Sequence, residues 1–400
     1  MYKGLKFMAI LLFLFWASAF FILYTYFGYP ILIALIAKIC PNPGAFSEIY
    51  PNVTLLISAY NEEKYISDKL DNSLSLDYPR EKLQILVIAD GSTDKTPEIV
   101  KTYSKGGVEL LYEPERNGKL AAIIRAMQFS RGEIVIFSDA NNMYDVKAIR
   151  ELILPFSDPK VGGATGAKHI IEDGRDLSAA EGLYWKFESA IKANESMIDS
   201  CVSSVGEIFA IRKDAFIPPE GKIILDDLFI ILDLLRRGYR VIYVPQARSF
   251  EYVSVSAQDE IERRTRNNVG LYQTISLSGN LLPFDRPFLV WQIVSHKYFR
   301  VFLPFGFILM FLTNVVIVIF SNDQNFSPSR VLLSFLLTAL SLQIIFYFSA
   351  IFGNLFNIKG RMGKLLYLPV FLVNSNIAAL MGFYNYFTNR RSPIWKRVRR

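Results

Sequence analysis

The two ends of this chain are almost free of charge, and this constrains its fold more than any other feature. Hydrophobic residues make up 52% of the sequence, more than a soluble chain usually carries. The excess lies in residues 5–39 and in three later stretches, 302–320, 331–352 and 365–387. Each stretch is long enough to cross about 30 Å of hydrocarbon as a helix. The sequence therefore predicts a soluble domain held by membrane helices on both sides.

The first apolar stretch allows two interpretations. Lys3 and Lys6 precede it, and the Ala-Ser-Ala at 17–19 resembles a signal-peptide cleavage site. Apolar residues continue far beyond this point, which favours a retained membrane helix. At about 1.5 Å per residue the stretch exceeds one crossing. We therefore expect its second half, after the Gly-Tyr-Pro at 28–30, to leave the bilayer or to lie at its surface.

The net charge of +7 does not indicate nucleic acid, because many basic residues lie beside predicted membrane segments. Anionic lipid headgroups explain this placement better, and we expect membrane lipids as partners. Two cysteines, Cys40 and Cys201, and two histidines, His169 and His296, exclude a disulfide framework and a Cys- or His-rich metal centre. The basic tail consists of Arg390, Arg391, Lys396, Arg397, Arg399 and Arg400.

The middle of the chain alternates between short apolar runs and helical patterns. Residues 53–59, 83–89, 108–112 and 133–138 are of strand type. This alternation predicts βαβ units and a parallel sheet covered on both faces, with ligands beyond the carboxyl ends of the strands. Acids and amides from three strands meet there, which predicts a site. They are Tyr60-Asn61-Glu62, Asp90 and Asp139-Ala140-Asn141.

The pattern changes after residue 144. Further strands are predicted at 161–169, 208–212 and 240–244, and helices at 179–195, 228–237 and 256–272. Residues 281–299 are amphipathic, as in a segment at a membrane surface. We divide the chain into residues 1–50 (membrane helix and interfacial segment), 51–275 (α/β domain), 276–300 (interfacial segment) and 301–400 (membrane helices and basic tail).

Several of these polar residues have both a structural and a chemical interpretation. An acid after a strand, such as Asp139, often caps a helix, but it can also bind a divalent cation on a diphosphate, with Asn141 adding a carbonyl oxygen. Asp90 opens a tight turn. Since Asp94 can cap the following helix, Asp90 is left to bind a nucleobase edge. Lys119 at a helix start suits an anion, or is simply solvated.

Two later groups are equally ambiguous when taken singly. Asp226 and Asp227 begin a helix, where acids complement the helix dipole, but one of them could act as general base on an acceptor hydroxyl. Arg263, Arg264 and Arg266 form a charge run on one helix. Alternatively, one of these arginines stabilises a departing diphosphate.

The order of the motifs resembles the family 2 glycosyltransferases, in the membrane subgroup that includes cellulose, hyaluronan, chitin and poly-N-acetylglucosamine synthases. The resemblance runs from about Pro51 to Arg300. It rests on seven motifs that occur in the family's order, and this ordered set is highly specific for the family. They are Ser58-Ala59-Tyr60-Asn61-Glu62, Ala89-Asp90-Gly91-Ser92, Asn117-Gly118-Lys119, Asp139-Ala140-Asn141, Gly206-Glu207-Ile208-Phe209, Asp226-Asp227 and Arg263-Arg264-Thr265-Arg266.

The resemblance implies an α/β GT-A (Rossmann-like) fold with flanking transmembrane helices. It also implies inverting transfer from a nucleotide sugar such as a UDP-sugar, with Mg²⁺ or Mn²⁺ as cofactor. By the same resemblance Tyr60, Glu62 and Asp90 hold the nucleoside, and Lys119 lies near the nucleotide. The acceptor implied is a lipid-linked or membrane-proximal glycan.

On the reacting side, the resemblance implies that Asp139 meets the metal and the diphosphate. Asp227 matches the family's general base, and Arg266 matches the arginine at the leaving group. Two positions depart from the family pattern. Asn141 replaces the second acid of the metal motif, and Asp226 replaces the glutamate before the base.

A third departure concerns the product. Asn267 stands where the signature of processive synthases has a tryptophan that stacks on the acceptor sugar. Its absence favours transfer of one or a few sugars over synthesis of a long polymer. A processive polysaccharide synthase remains an alternative, as does a membrane protein that binds a nucleotide sugar without turnover. Nucleotidyl transfer would need a Gly-rich phosphate loop where residues 60–62 stand.

Nucleotide-sugar donors are cytoplasmic, so we expect the domain on the cytoplasmic side of the cell (inner) membrane. Three later crossings would then place the basic tail outside, against the positive-inside tendency. This favours a re-entrant or interfacial segment at residues 365–387, which contain Pro369, Asn374 and Asn376.

Overall fold

The computed structural model describes residues 2–172, 176–253, 257–322, 328–356 and 361–390. Within these ranges the strands form one eight-stranded mixed sheet. The strands are β1 (Val53–Ala59), β2 (Leu83–Asp90), β3 (Val108–Glu113), β4 (Ile134–Asp139), β5 (Met143–Tyr144), β6 (Val161–Ile170), β7 (Phe209–Arg212) and β8 (Arg240–Glu251). Their order across the sheet is β3-β2-β1-β4-β7-β6-β8-β5.

Helices cover the sheet and extend from it towards the membrane. Those of the described residues are α1 (Tyr2–Leu23), α2 (Tyr29–Ile39), α3 (Ile66–Leu74), α4 (Thr96–Thr102), α5 (Lys119–Phe129), α6 (Ala148–Ile153), α7 (Asp176–Ile198), α8 (Asp226–Arg236), α9 (Ala257–Ser276), α10 (Ser278–Leu281), α11 (Pro287–Ile293), α12 (Phe299–Ile319), α13 (Arg330–Phe356) and α14 (Arg361–Phe387).

The first four strands are parallel, as the alternating pattern predicts. β1 lies between β2 and β4, and β3 pairs with β2. Nearly every side chain of β1, β2 and β4 is buried, because helices pack on both faces of the sheet. In this register Ser58 lies opposite Asp139, and Ala59 lies opposite Ala89. The carboxyl ends of the three strands therefore meet at one edge.

The strands that follow residue 139, for which the sequence pattern predicted no direction, are not all parallel to the first four. β7 runs antiparallel to β4 and β6, and β5 runs antiparallel to β8. The apolar pattern of a four-residue strand encodes burial but not direction. β8 also continues to Glu251, past its predicted end at residue 244, because the exposed Pro245 and Gln246 interrupt its apolar pattern without ending the strand.

Four helical segments are long and apolar enough to cross a membrane, and they coincide with the four predicted stretches. Among the described residues they are Lys6–Ile39, Pro287–Ile319, Arg330–Phe356 and Leu366–Phe387. The first joins α1 to α2 through a π-helical turn at Tyr24–Gly28, and the second joins α11 to α12 through a similar turn at Val294–Tyr298. The chain is a membrane protein built around an α/β domain.

A buried carboxylate joins the first two membrane segments to the domain. Glu195 of α7 accepts a hydrogen bond from the Tyr29 hydroxyl, and Nδ1 of His296 lies 2.8 Å from the same carboxylate. Ile33 and Ile191 pack beside this contact. The helix that begins in the membrane therefore ends against α7 instead of leaving the protein.

The last helix lies against the domain over its second half. Arg264 of α9 donates a 2.8 Å hydrogen bond to the Ser375 hydroxyl of α14. A Cβ atom added to Gly382 would lie 2.5 Å from Cβ of Asn268, so the backbones of α9 and α14 almost touch. The Tyr272 ring meets that of Phe383 edge to face nearby, with 5.6 Å between centroids. Of the basic tail, Arg390 is described and residues 391–400 lie outside the described ranges.

This packing generates a topology prediction. In a background with Cys40→Ser and Cys201→Ala, single cysteines would be placed at the exposed positions Glu81, Ser329 and Asn389. We expect a membrane-impermeant maleimide to label the variants at 81 and 389 from the same side, and the variant at 329 from the other side. Labelling of 389 together with 329 would show that α14 crosses the bilayer.

A second prediction concerns the packing of β6. A Cβ atom added to Gly166 would lie 2.3 Å from the carbonyl oxygen of Ala247, whereas one added to Gly182 of α7 meets no described atom within 4 Å. We expect Gly166→Ala to lower the free energy of unfolding by about 1–3 kcal/mol. Gly182→Ala should leave it unchanged or raise it by up to about 1 kcal/mol. Unfolding in detergent measures both, and equal stabilities would contradict the prediction.

Candidate active site

One cavity of about 1570 Å³ opens between the carboxyl edge of the sheet and the membrane helices. The structure brings five of the sequence-predicted residues into its lining. These are Lys119, Asp139, Asp226, Asp227 and Arg266. The predicted nucleoside-binding residues Tyr60, Glu62 and Asp90, together with Asn141, lie on neighbouring loops outside that lining.

Asp90 shapes the turn that precedes α5. Its Oδ2 accepts hydrogen bonds from the backbone amides of Asn117 (3.0 Å) and Gly118 (2.7 Å), and its Oδ1 lies 3.6 Å from Nη2 of Arg125. At the start of α4, Asp94 accepts from the Thr96 amide at 3.0 Å. The structural alternative for Asp90, a tight turn with Ser92 or Asp94 capping the helix, therefore agrees with the structure, and the binding of a nucleobase edge by Asp90 stays a prediction.

The loop after β1 is locked to the loop after β2. Asn61 has a left-handed backbone, with φ of 55°, and its side-chain oxygen accepts from the Thr93 amide at 2.7 Å. Its own amide donates to the Ser92 hydroxyl at 3.1 Å. The Arg116 guanidinium lies 3.5 Å above the centroid of the Tyr60 ring. The two loops therefore form one preorganised surface beside the strand ends.

Lys119 and Asp139 form an ion pair at the centre of the site. Nζ of Lys119 donates to Oδ1 of Asp139 at 2.6 Å. Burial disfavours the charged lysine, but the carboxylates of Asp139, Asp226 and Asp227 outweigh burial and hold its pKa above the ordinary value. The lysine is therefore a fixed positive charge among three acids, and a diphosphate entering here meets a cation already in place.

Asp227 is a half-buried carboxylate with an oriented side chain. Its Oδ1 accepts from the Leu228 amide at 2.8 Å, and its Oδ2 accepts from the Ser204 hydroxyl at 2.9 Å. Burial, and next the negative charge of Asp226, raise the pKa of Asp227; the two hydrogen bonds and Lys119 oppose this. Its proton affinity is thus higher than that of an ordinary surface aspartate.

The three arginines of α9 have different surroundings. Arg263 and Arg264 pair with Glu260, and Arg264 also pairs with Glu181. Arg266 instead lies in the electrostatic field of Asp226, Asp227 and Asp139, and its Nη2 makes a 3.4 Å hydrogen bond to the Ile224 carbonyl. Burial lowers the pKa of Arg266 despite those acids. Arg266 therefore lies with the acids of the cavity, whereas the other two arginines pair with glutamates.

Sequence reasoning missed a buried network behind Asp139. The Asn141 amide nitrogen donates to Oε1 of Glu251 at 2.9 Å. Lys168 donates to Glu207 at 2.8 Å and also to Glu251. Two features of the sequence could have indicated this network. Glu207 belongs to one of the seven motifs, and Lys168 is a charged residue inside an apolar strand pattern. The metal-binding role of Asn141 stays a prediction.

The far side of the cavity belongs to the membrane segments. Apolar side chains from α12, α13 and α14 form its walls, and Asn267 lines it where the processive signature has a tryptophan. The wall residues include Phe307, Met310, Leu342, Phe346 and Leu372. The acids of the site therefore share one space with a hydrophobic compartment.

Known proteins resemble this chain in sequence. A family model described as glycosyl transferase family 2 matches residues 54–216. The poly-β-1,6-N-acetyl-D-glucosamine synthase of Staphylococcus aureus is 29% identical over 202 residues, which are 49% of this chain and 48% of that protein. The probable glycosyltransferase YdaM of Bacillus subtilis is 24% identical over 292 residues, 67% and 66% of the two chains. The chain thus spans about half the length of the Staphylococcus aureus relatives that it matches.

Among solved structures, the mannosyltransferase PcManGT of Pyrobaculum calidifontis, in complex with GDP-Man and Mn²⁺, is similar over 91% of this chain and 98% of its own. The TM-score is 0.64 at 22% sequence identity, so this likeness concerns the fold, and it agrees with the GT-A fold that the motifs imply. The family model, the ordered motifs and the fold agree: residues 54–216 of this chain match glycosyl transferase family 2, within a domain of GT-A type.

Proposed function

We propose that this chain is an inverting glycosyltransferase that moves a sugar from a nucleotide sugar to a lipid-linked or membrane-proximal acceptor. One observation carries the proposal. The half-buried carboxylate of Asp227 faces a cavity that is also lined by the Lys119–Asp139 pair and Arg266, and that continues between the membrane helices. A base, a place for an anionic donor and an entrance for an acceptor then share one space.

Asp227 acts as the general base. Its Oδ atoms are oriented by Ser204 and by the Leu228 amide, so the carboxylate is held towards the cavity without a cation bound directly to it. Its raised pKa favours acceptance of the proton from an acceptor hydroxyl. That hydroxyl attacks the anomeric carbon from the face opposite the diphosphate, which inverts the configuration.

The donor lies along the loops at the strand ends. Tyr60, Glu62 and Asp90 hold the nucleoside, which in our proposal is uridine. The diphosphate lies at Lys119 and Asp139, where the paired lysine is already charged. Support comes from PcManGT, whose complex with GDP-Man and Mn²⁺ has a nucleotide sugar in a protein of this fold.

A divalent cation, when bound, neutralises charge on the diphosphate. A hard cation takes most of its oxygen ligands from phosphate and water, so one protein carboxylate suffices. Asp139 offers that carboxylate, and Asn141 offers a carbonyl oxygen while its amide nitrogen donates to Glu251. The donor set present therefore fits Mg²⁺ or Mn²⁺, with Lys119 released to a phosphate oxygen.

The positive charge of Arg266 stabilises the negative charge that develops on the leaving diphosphate. The guanidinium is largely buried and its cost of burial is only partly offset by Asp139, Asp226 and Asp227. An anion in the cavity would offset more of that cost, and a preorganised cation needs little rearrangement as the bond to the sugar breaks.

The acceptor enters from the membrane side. Apolar walls suit a hydrocarbon chain, whereas a growing sugar chain would need polar partners for its hydroxyl groups. The absence of a stacking tryptophan at Asn267 favours the transfer of one or a few sugars. A processive polysaccharide synthase is the second candidate, supported by the likeness to the Staphylococcus aureus enzyme. The length of the product distinguishes the two.

We place the domain on the cytoplasmic side of the cell membrane, where nucleotide-sugar donors are found. The second half of α14 lies beside α9 of the domain, which keeps Arg390 on that side as well. Basic residues then flank the membrane on its cytoplasmic face, in agreement with the positive-inside tendency.

The proposal predicts the behaviour of Asp227→Asn. The amide cannot take a proton, so transfer should fall by about 10²–10⁴-fold while donor affinity stays near that of the native protein. A panel of nucleotide sugars, scored by release of nucleoside diphosphate in detergent-solubilised membranes, measures the rate, and calorimetry measures binding. Asp214→Asn, at an exposed position, is the matched control. Native turnover by Asp227→Asn would refute the assignment.

The environment of Asp227 predicts opposite pH shifts for two variants. The base must be deprotonated, so kcat/KM falls as pH drops through its raised pKa. Asp226→Asn removes a negative charge that raises this pKa, so the acidic limb should move to lower pH. Ser204→Ala removes a hydrogen bond that lowers the pKa, so the limb should move to higher pH. If neither variant moves the limb, another group acts as the base.

A further inference from the structure

We propose that the acceptor is a lipid that carries a phosphate group, and that Lys297 and Arg300 bind this phosphate where the cavity meets the membrane helices. The inference rests on the proposed function for the existence of a membrane acceptor. It adds the chemical class of that acceptor and the residues that recognise it.

The two cations share one carboxylate, which lies behind them. Arg300 Nη1 contacts Oε1 of Glu188, and Lys297 Nζ lies 3.7 Å from Oε2, beyond hydrogen-bonding distance. The Glu188 side chain is 3% exposed, whereas those of Lys297 and Arg300 are 19% and 23% exposed. Both cations line the cavity. The cavity wall therefore presents positive charge, with its counter-charge buried.

The surrounding groups leave this positive charge in excess. Lys192, which is buried and whose Nζ has no hydrogen-bond partner among the described residues, also lies in the field of Glu188. The neighbouring carboxylate, Glu195, is bound by Tyr29 and His296. Lys192, Lys297 and Arg300 thus share the carboxylates of Glu188 and Glu195 with His296, whose Nε2 lies 3.4 Å from Oε2 of Glu188. By contrast, Arg263 and Arg264 at the same cavity form ion pairs with Glu260 and Glu181.

Helix length allows the two cations to lie at the depth of a lipid headgroup. They stand in the domain-side half of Pro287–Ile319, a segment of 33 residues. Such a helix is about 50 Å long and the hydrocarbon is about 30 Å thick, so about 20 Å of it can stand outside the hydrocarbon, and Lys297 and Arg300 lie about 15 and 20 Å from its start. Phe307 and Met310 line the same cavity farther along the helix. A phosphate at Lys297 and Arg300 would therefore continue into a hydrocarbon chain beside these side chains.

The test compares two probes that differ only in the phosphate. Farnesyl phosphate and farnesol would be titrated into the full-length protein in detergent, with binding measured by calorimetry. We expect the native protein to bind farnesyl phosphate at least about tenfold more tightly than farnesol. Lys297→Gln should remove most of this preference, since Arg300 remains to pair with Glu188. Equal affinity of the native protein for the two probes would overturn the proposal.

Three further variants separate this inference from catalysis and from misfolding. Asp227→Asn should keep the preference for the phosphate probe, whether or not the proposed base is correct. Arg300→Lys should keep it because the charge is retained, and Lys186→Gln should keep it because that lysine is exposed on α7 outside the cavity. Loss of the preference in Lys186→Gln would overturn the assignment to Lys297 and Arg300.

Two competitors identify the source of the phosphate. Inorganic phosphate and phosphatidylglycerol vesicles would each be added to the farnesyl phosphate titration. Weak competition by both supports a dedicated acceptor lipid. If either competes as well as farnesyl phosphate itself, the cations bind free phosphate or bulk lipid, and the acceptor assignment fails.

Discussion

A buried positive charge on Lys168 organises the edge of the sheet on which the site is built. Its ammonium group donates to Glu207 and Glu251, and all three residues are almost wholly buried. Charges removed from water are costly unless they are paired and hydrogen-bonded, so this network fixes β6, β8 and the loop before β7 relative to one another. Glu251 also holds Asn141, and through that residue the network positions the loop that follows Asp139.

Much of this arrangement could be predicted from local patterns. β1 has the bounds that its apolar run predicts, α5 begins at Lys119 as predicted, and parallel strands placed Asp90 and Asp139 at one edge. The direction of β7 could not be predicted, because its three apolar residues before Arg212 pair equally well either way. The partners of Lys168 could not be predicted either. Glu251 lies 83 residues further along the chain, and only the folded sheet brings them together.

The domain and the membrane segments form one structure through contacts on three helices. α7 carries Glu195 and Glu188, which meet Tyr29, His296 and Arg300 from the two membrane segments that flank the domain. α9 lies between the cavity and α14. The site is thus assembled partly from elements that the family match at residues 54–216 does not include. A fragment limited to the matched domain would lack one wall of the cavity.

The near contact of Gly382 with Asn268 links chemistry to the mechanics of the bilayer. α9 carries Arg266 towards Asp227 on one side and rests on α14 with its other side. Because Gly382 has no side chain between the two backbones, a change in the tilt of α14 displaces α9 directly. Bilayer thickness and lateral pressure, which set the tilt of such helices, would therefore change the gap between arginine and aspartate. Membrane composition would then tune the rate of this enzyme without any ligand.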